Sequence, residues 1–165
     1  MRHVYNAWFM LLAGCATPVS SVPALGWDDA LYDHALQFHD DMAVRGVDVA
    51  IGQVVTLIVS DRDVDACEDW LDSLAGCCEF TEGTRGIRGA VYVRSGLTPE
   101  YTRTVVYHEL THCTTGLNHS SGEQDIMNET VPWIGDNEWE AALDTLAAFI
   151  GEGLQLRATI KEVRE

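Results

Sequence analysis

The sequence predicts a single domain of the mixed α+β class. A chain of 165 residues is long enough for one sizeable hydrophobic core. Its apolar content of 47% is that of an ordinary globular protein. Segments with helical periodicity alternate with short runs of β-branched residues, which is the pattern of helices packed on a small sheet.

The first helix is predicted from residue 27 to residue 44, and Gly46 is expected to stop it. His34 and His39 lie off the apolar side of this helix and far apart around it, so we expect them to be solvated. The apolar positions form one stripe at helical spacing: Leu31, Ala35, Phe38 and Met42.

Residues 47–61 predict a strand, because they alternate and then run continuously apolar with β-branched side chains. The continuous run favours a central position, buried on both faces. Asp61 is expected to cap a following helix. The apolar face of that helix would contain Val64, Cys67, Leu71 and Leu74.

The glycine-rich residues 82–89 lead into a short strand at 90–93. Thr98, Pro99 and Glu100 then predict a helix start, with a hydroxyl cap, a proline in the first position and an acid in the first turn.

A last helix is predicted to begin at Asp136 or Asn137 and to end at residues 151–153, which contain two glycines. The tail after these residues is predicted as a short helix or a strand. The buried stripe of the last helix is expected to contain Trp139, Leu143, Leu146 and Ile150.

The net charge of the chain is −16. Such an acidic protein is repelled by the phosphates of nucleic acids and by anionic lipid surfaces. We therefore expect no nucleic-acid partner. The charge either serves solubility alone or attracts cationic peptides, and the sequence leaves both interpretations open.

The N-terminus has the pattern of an export signal. The apolar run from Val4 to Leu12 is far shorter than the roughly 20 residues that span a bilayer. It has the size of a secretory h-region. The sequence LAGC that ends at Cys15 resembles a bacterial lipobox. The resemblance implies a signal peptide at residues 1–14, a lipid on Cys15, a tether at 15–25 and a folded domain at 26–165, so that the protein is exported and anchored to a bacterial membrane.

Four further cysteines, Cys67, Cys77, Cys78 and Cys113, can form disulfides if the protein is exported. They allow three pairings, and the sequence does not choose among them. We expect Cys77 and Cys78 to bond elsewhere rather than to each other. Free buried thiols are the alternative.

The segment HELTHCTTGLNH holds three of the six histidines of the chain. On a helical wheel, His108 and His112 lie on one side, opposite a face that packs on the core. Histidines at i and i+4 can bind one Zn²⁺, and Glu109 between them can reach a water on the metal. A helix with two surface histidines is the alternative.

A catalytic zinc usually has three protein ligands and an open position. His119 is the first candidate for the third ligand, because Gly116 can end the helix in a left-handed conformation and turn the chain back. Together with Met127, this pattern resembles the metzincin zinc peptidases. The resemblance implies a zincin-like domain with a small mixed sheet, an active-site helix and a C-terminal helix, with Met127 in a turn beneath the zinc.

The chain has one residue more than the metzincin pattern between the second histidine and the glycine. One extra helical residue swings the exit direction by about 100°. A bulge or a tightened last turn can absorb this rotation. Without one, His119 is expected to miss the metal. Asp125 is a candidate for orienting a ligand histidine by a hydrogen bond.

Glu140 is the second candidate for the third ligand. Glu140 and Asp144 stand at i and i+4 and resemble the gluzincin arrangement. There a glutamate on a later helix binds zinc and an aspartate one turn on supports a histidine. An acidic solvated face is the simpler interpretation of these carboxylates.

These observations predict a zinc peptidase that cleaves a peptide or protein substrate. His108, His112 and His119 would hold the metal, with Glu109 as general base and then acid. The strand at 90–93 is a candidate for pairing with extended substrate, and a core strand is the alternative. A non-catalytic zinc-binding lipoprotein and a hydrolase of a non-peptide envelope amide stay open.

Overall fold

The computed structural model describes residues 26–67, 75–83, 86–122 and 125–164. Within these residues the chain forms a small mixed α+β domain with four α-helices and a three-stranded sheet. The predicted signal peptide and tether, with Cys15, lie outside the described residues, as do Leu71 and Leu74. None of the described helices combines the length and the apolarity needed to cross a membrane.

The elements follow the chain in a simple order. A 3₁₀ turn at Ile51–Gln53 precedes the first strand. The helices and strands are α1 (Asp29–Val44), β1 (Val54–Val59), α2 (Asp61–Cys67), β2 (Gly76–Gly83), β3 (Gly86–Val93), α3 (Pro99–Thr115) and α4 (Asp136–Arg164).

Helix α1 confirms the prediction made from its apolar spacing. Its buried residues are the four of the stripe, and the helix ends at Val44. Gly46 follows with a φ of 77°, in the left-handed region that other residues rarely adopt.

The sheet has the strand order β1-β3-β2, with β1 parallel and β2 antiparallel to β3. The prediction of a strand within residues 47–61 is confirmed at Val54–Val59, but its predicted central position is wrong, because β3 lies between β1 and β2. Strand β1 lies at the edge of the described sheet, where the segment before α1 covers it. The backbone N–H of Leu57 donates to the carbonyl of Gly26 over 3.1 Å, and the backbone N–H of Asp28 donates to the carbonyl of Leu57 over 2.8 Å. This cover explains how an edge strand can be as apolar as a central one.

Strand β2 was not predicted. It forms a tight hairpin with β3, and Gly83 pairs with Gly86 within the glycine-rich segment. Disulfides join Cys67 of α2 to Cys77 and Cys78 to Cys113 of α3. The prediction that Cys77 and Cys78 bond elsewhere is confirmed, and the alternative of free thiols is wrong.

The N-terminus of α2 differs from the prediction, because Asp61 is not its cap. The hydroxyl of Ser60 accepts from the N–H of Asp63 over 3.3 Å. The carboxylate of Asp61 instead accepts from the N–H and the hydroxyl of Ser95.

Helix α3 begins as predicted, since the hydroxyl of Thr98 accepts from the N–H of Tyr101 and Pro99 occupies the first turn. The helix contacts β2, β3, α1 and α4, so it lies at the centre of the domain. Residues 104–111 are all buried. On the histidine side of α3, His108 is thus buried and His112 is half-buried, in contrast to the two surface histidines of the alternative interpretation.

Helix α4 begins at Asp136, and its predicted stripe is buried. It does not end at residues 151–153, and the tail continues it to Arg164. The reason is a tertiary contact: Gly153 lies against Leu117, and a Cβ at Gly153 would be only 2.5 Å from Cδ2 of Leu117. The glycine therefore serves a close approach of α4 to the end of α3.

Candidate metal centre

His108 and His112 are oriented by backbone carbonyls. Nδ1–H of His108 donates to the carbonyl oxygen of Ile126 over 2.7 Å. Nδ1–H of His112 donates to the carbonyl oxygen of Leu117 over 2.6 Å. Since each neutral imidazole carries one proton, both Nε2 atoms are left with free lone pairs. This tautomer and this orientation are those of metal-ligating histidines.

The turn after α3 brings His119 to the same place. Gly116 has a φ of 64°, and its N–H donates to the carbonyl of His112 over 2.7 Å. The helix therefore keeps its regular bonding to the end, and His119 reaches the other two histidines without a bulge or a tightened turn; the prediction that it would miss them in that case is wrong. The ring of His119 is 5.1 Å from that of His108 and 4.8 Å from that of His112, measured between centroids.

A second turn, at residues 125–128, supports the cluster from the other side. The carboxylate of Asp125 accepts from the N–H of Met127 over 3.0 Å. The carbonyl of Met127 accepts from the N–H of Ser120, next to His119, over 2.8 Å. Asp125 therefore orders the turn that presents the Ile126 carbonyl to His108, while the hydrogen-bond partner of His108 in the described residues is that carbonyl and not the carboxylate. The side chain of Met127 is fully buried in the core.

The three histidines fit a divalent metal ion. Their ligand atoms all lie within 4.8 Å of one another, and no other histidine, cysteine or carboxylate of the described residues belongs to the group. The Nε2 atoms of His108 and His112 are 3.0 Å apart. Tetrahedral zinc with imidazole ligands requires nitrogens about 3.3 Å apart. Two lone pairs that face each other at this distance repel, and a cation between them removes the repulsion.

Burial keeps His108 and His112 in the neutral form that can bind a cation. It lowers the pKa of His108 to about 3, with a further contribution from neighbouring His112. It also lowers the pKa of His112. Both imidazoles are therefore neutral at physiological pH, the state in which histidine binds metals.

Glu109 lies beside the cluster without joining it. Its carboxylate is 4.0 Å from Nε2 of His108, and Glu109 as a whole is 5% exposed to solvent. Burial raises the pKa of Glu109 to about 8. A dication close by would lower this pKa again, because an opposite charge favours the carboxylate form. Glu109 is thus placed to exchange a proton near neutral pH.

The cluster opens into a cleft of about 190 Å³. The histidines and Glu109 form one part of it. The remaining lining comes from the disulfide region, from the start of β2 and from the segment after Met127: Cys67, Ala75, Gly76, Cys77, Cys78, Glu129 and Val131. The site is therefore accessible to a ligand larger than water.

Glu140 is not brought to the cluster. Its carboxylate pairs with Arg45 over 2.7 Å, and Asp144 pairs with the same guanidinium over 2.8 Å. Both side chains are largely exposed. They form the acidic solvated face of α4 that the simpler interpretation described.

The strand at 90–93 does not have a free edge for a peptide. It belongs to β3, which pairs with β1 on one side and with β2 on the other. Of the two interpretations of this segment, pairing with extended substrate is therefore wrong and the core strand is confirmed. Strand β2 is the one that lines the cleft, and it pairs with β3 along one of its edges.

Several residues of the site could not be found from the sequence. The carbonyls of Leu117 and Ile126 act through the backbone, so no residue type marks them. Gly76 gives room to Glu109, since a Cβ at Gly76 would be 2.9 Å from Cγ of Glu109. In the sequence, Gly76 is marked only by its position directly before Cys77 and Cys78, which does not indicate a contact with Glu109.

Comparisons with protein-family models, with curated proteins and with solved structures give no match.

Proposed function

We propose that the chain is a zinc-dependent peptidase of metzincin-like design. The observation that carries this proposal is the convergence of His108, His112 and His119 beside the buried carboxylate of Glu109, at an open cleft. Three imidazole ligands leave one position free on a tetrahedral ion, which is the arrangement of catalytic zinc. A bound zinc ion supplies Lewis acidity to a scissile carbonyl and to a water.

Glu109 performs the proton transfers. As a carboxylate it takes a proton from the attacking water, and as an acid it delivers that proton to the leaving amine. Its burial keeps both forms accessible near neutral pH, since desolvation opposes the pull of a cation on its pKa. A purely structural zinc site has no use for this group.

Strand β2 supports a peptide as the substrate. It contributes Gly76, Cys77 and Cys78 to the wall of the cleft, beside Glu109. An extended peptide laid along this strand could form main-chain hydrogen bonds while its scissile carbonyl faces the histidines.

The cell envelope is the proposed location, with a lipid at Cys15 as the membrane anchor. The two disulfides support an oxidising compartment outside the cytoplasm. The LAGC sequence supports the lipid.

The test uses the chain produced by export, so that its disulfides form. Bound metal is measured by mass spectrometry, and hydrolysis is measured on a library of quenched fluorescent peptides. The Glu109→Gln variant should retain the metal and lose hydrolysis. Glu138→Gln, an exposed change on α4, is the matched control and should behave as the parent.

Each other outcome selects an alternative. Metal without hydrolysis of any peptide supports a non-catalytic zinc-binding lipoprotein. Hydrolysis of envelope amides but not of peptides supports a hydrolase of a non-peptide envelope amide. Turnover retained in Glu109→Gln refutes the role of Glu109.

A further inference from the structure

The C-terminal part of α4 contacts the turn that follows α3. The guanidinium of Arg157 donates from Nη1 to the carbonyl of Thr115 and from Nη2 to the carbonyl of Gly116. The last carbonyls of a helix lack partners within the helix, and a cation at this end also interacts favourably with the partial negative charge of the helix dipole. Arg157 thus satisfies two carbonyls immediately before the segment that leads to His119.

A glycine lets α4 reach this position. A Cβ at Gly153 would be 2.5 Å from Cδ2 and 2.7 Å from Cδ1 of Leu117. Leu117 is the residue whose carbonyl accepts from Nδ1–H of His112. The side of α4 that carries Gly153 and Arg157 therefore contacts every residue of the turn from Thr115 to Leu117.

The same turn determines where His119 lies. It follows directly on the last residue of α3, and the exposed His119 comes two residues beyond Leu117. Contacts that hold a ligand in place typically change metal affinity by about 10- to 100-fold when removed.

We propose that Arg157 is a positioning residue for the metal centre, acting through the turn at residues 115–117, and that Gly153 makes its approach possible. The inference rests on the metal-binding part of the proposed function and does not require peptide hydrolysis. It also explains why α4 continues beyond its two glycines.

The test measures zinc affinity by competition with a chromophoric chelator, together with the free energy of unfolding of the metal-free protein. Arg157→Met should weaken zinc binding by about 10-fold, the lower end of the range for groups that hydrogen-bond a ligand directly, because Arg157 acts through the turn. Arg157→Lys retains the charge but not the pair of N–H groups that donate to two carbonyls at once. The zinc affinity of this variant should therefore lie between those of the parent and of Arg157→Met. Arg62→Met is the matched control, because that side chain is 92% exposed and pairs with Asp63.

A double-mutant cycle separates positioning from general destabilisation. In the His119→Ala background, Arg157→Met should weaken zinc binding less than in the parent, by about threefold or less, because His119 is gone and only the contact of His112 with the Leu117 carbonyl still depends on the turn. An equal loss in both backgrounds would overturn the proposal. So would an Arg157→Met variant that binds zinc as tightly as a zinc-binding parent, and this result would leave the proposed function intact. A parent that binds no zinc overturns both.

Discussion

The backbone of Gly76 lies directly against the side chain of Glu109. A Cβ at Gly76 would be 2.9 Å from Cγ and 3.1 Å from Oε1 of Glu109, and 2.6 Å from Cγ1 of Val105. Strand β2 therefore packs so closely on α3 that a side chain at position 76 would collide with Val105 and Glu109. The position of the proposed catalytic carboxylate depends on this contact.

Gly76→Ala should displace Glu109 while leaving the histidines in place. We expect a loss of kcat/KM on the order of 100-fold, as for a misplacement of about 1 Å. Overpacking should also cost about 1–3 kcal/mol of unfolding free energy. Bound zinc should be unchanged. Gly52→Ala is the control, since no atom lies within 4 Å of a Cβ there; activity retained in Gly76→Ala would contradict the placement of Glu109.

The identity of the third ligand can be tested directly. His119→Ala should lower zinc affinity by more than about 100-fold, because loss of a ligand exceeds loss of a supporting contact. Glu140→Ala should leave zinc affinity unchanged, since Glu140 pairs with Arg45 at the surface. Metal content after dialysis measures both. Loss of zinc in Glu140→Ala would point to the gluzincin alternative.

Asp125 holds the turn that orients His108. Asp125→Ala removes the acceptor for the Met127 N–H, which is buried, and should cost about 1–3 kcal/mol of stability. Zinc affinity should fall by about 10- to 100-fold as the Ile126 carbonyl moves. Asp125→Asn keeps the oxygen acceptor and should restore most of the affinity. Equal affinities in parent and Asp125→Ala would show that the turn does not depend on this carboxylate.

The two disulfides should differ in their contributions to stability. Cys78 and Cys113 are 35 residues apart, and Cys67 and Cys77 are 10 apart. In the chain-entropy model, removing the longer-range bond costs about 3–4 kcal/mol and the shorter about 2–3 kcal/mol. Paired Cys→Ala variants measured by urea unfolding test this order. Four titratable thiols in the unfolded, unreduced protein would contradict the pairing itself.

The helices were predictable from the sequence because their signals are local. The stripe of α1, the cap at Thr98 and the start of α4 at Asp136 follow from spacing and capping within a few residues. The facing imidazoles of His108 and His112 follow from the helical repeat in the same way.

The remaining differences come from contacts between distant residues. The glycines at 151 and 153 normally end a helix, but the contact of Gly153 with Leu117 keeps α4 continuous. Strand β2 lacks an alternating pattern and is held by its hairpin and by the disulfides of Cys77 and Cys78. The edge position of β1 depends on residues 26–28. No local pattern contains this information.

The three imidazoles differ in their access to solvent. His108 is 2% exposed, His112 is half-buried and His119 is exposed on a loop. A divalent ion bound as proposed would pass the exposed His119 before it reached the Nε2 atoms of His108 and His112, whose rings are fixed by backbone carbonyls. The dissociation rate of the ion in the presence of a chelator would then depend on how often the loop that carries His119 moves away from His108 and His112. Substitutions in this loop would change metal uptake and release without changing the ligand side chains.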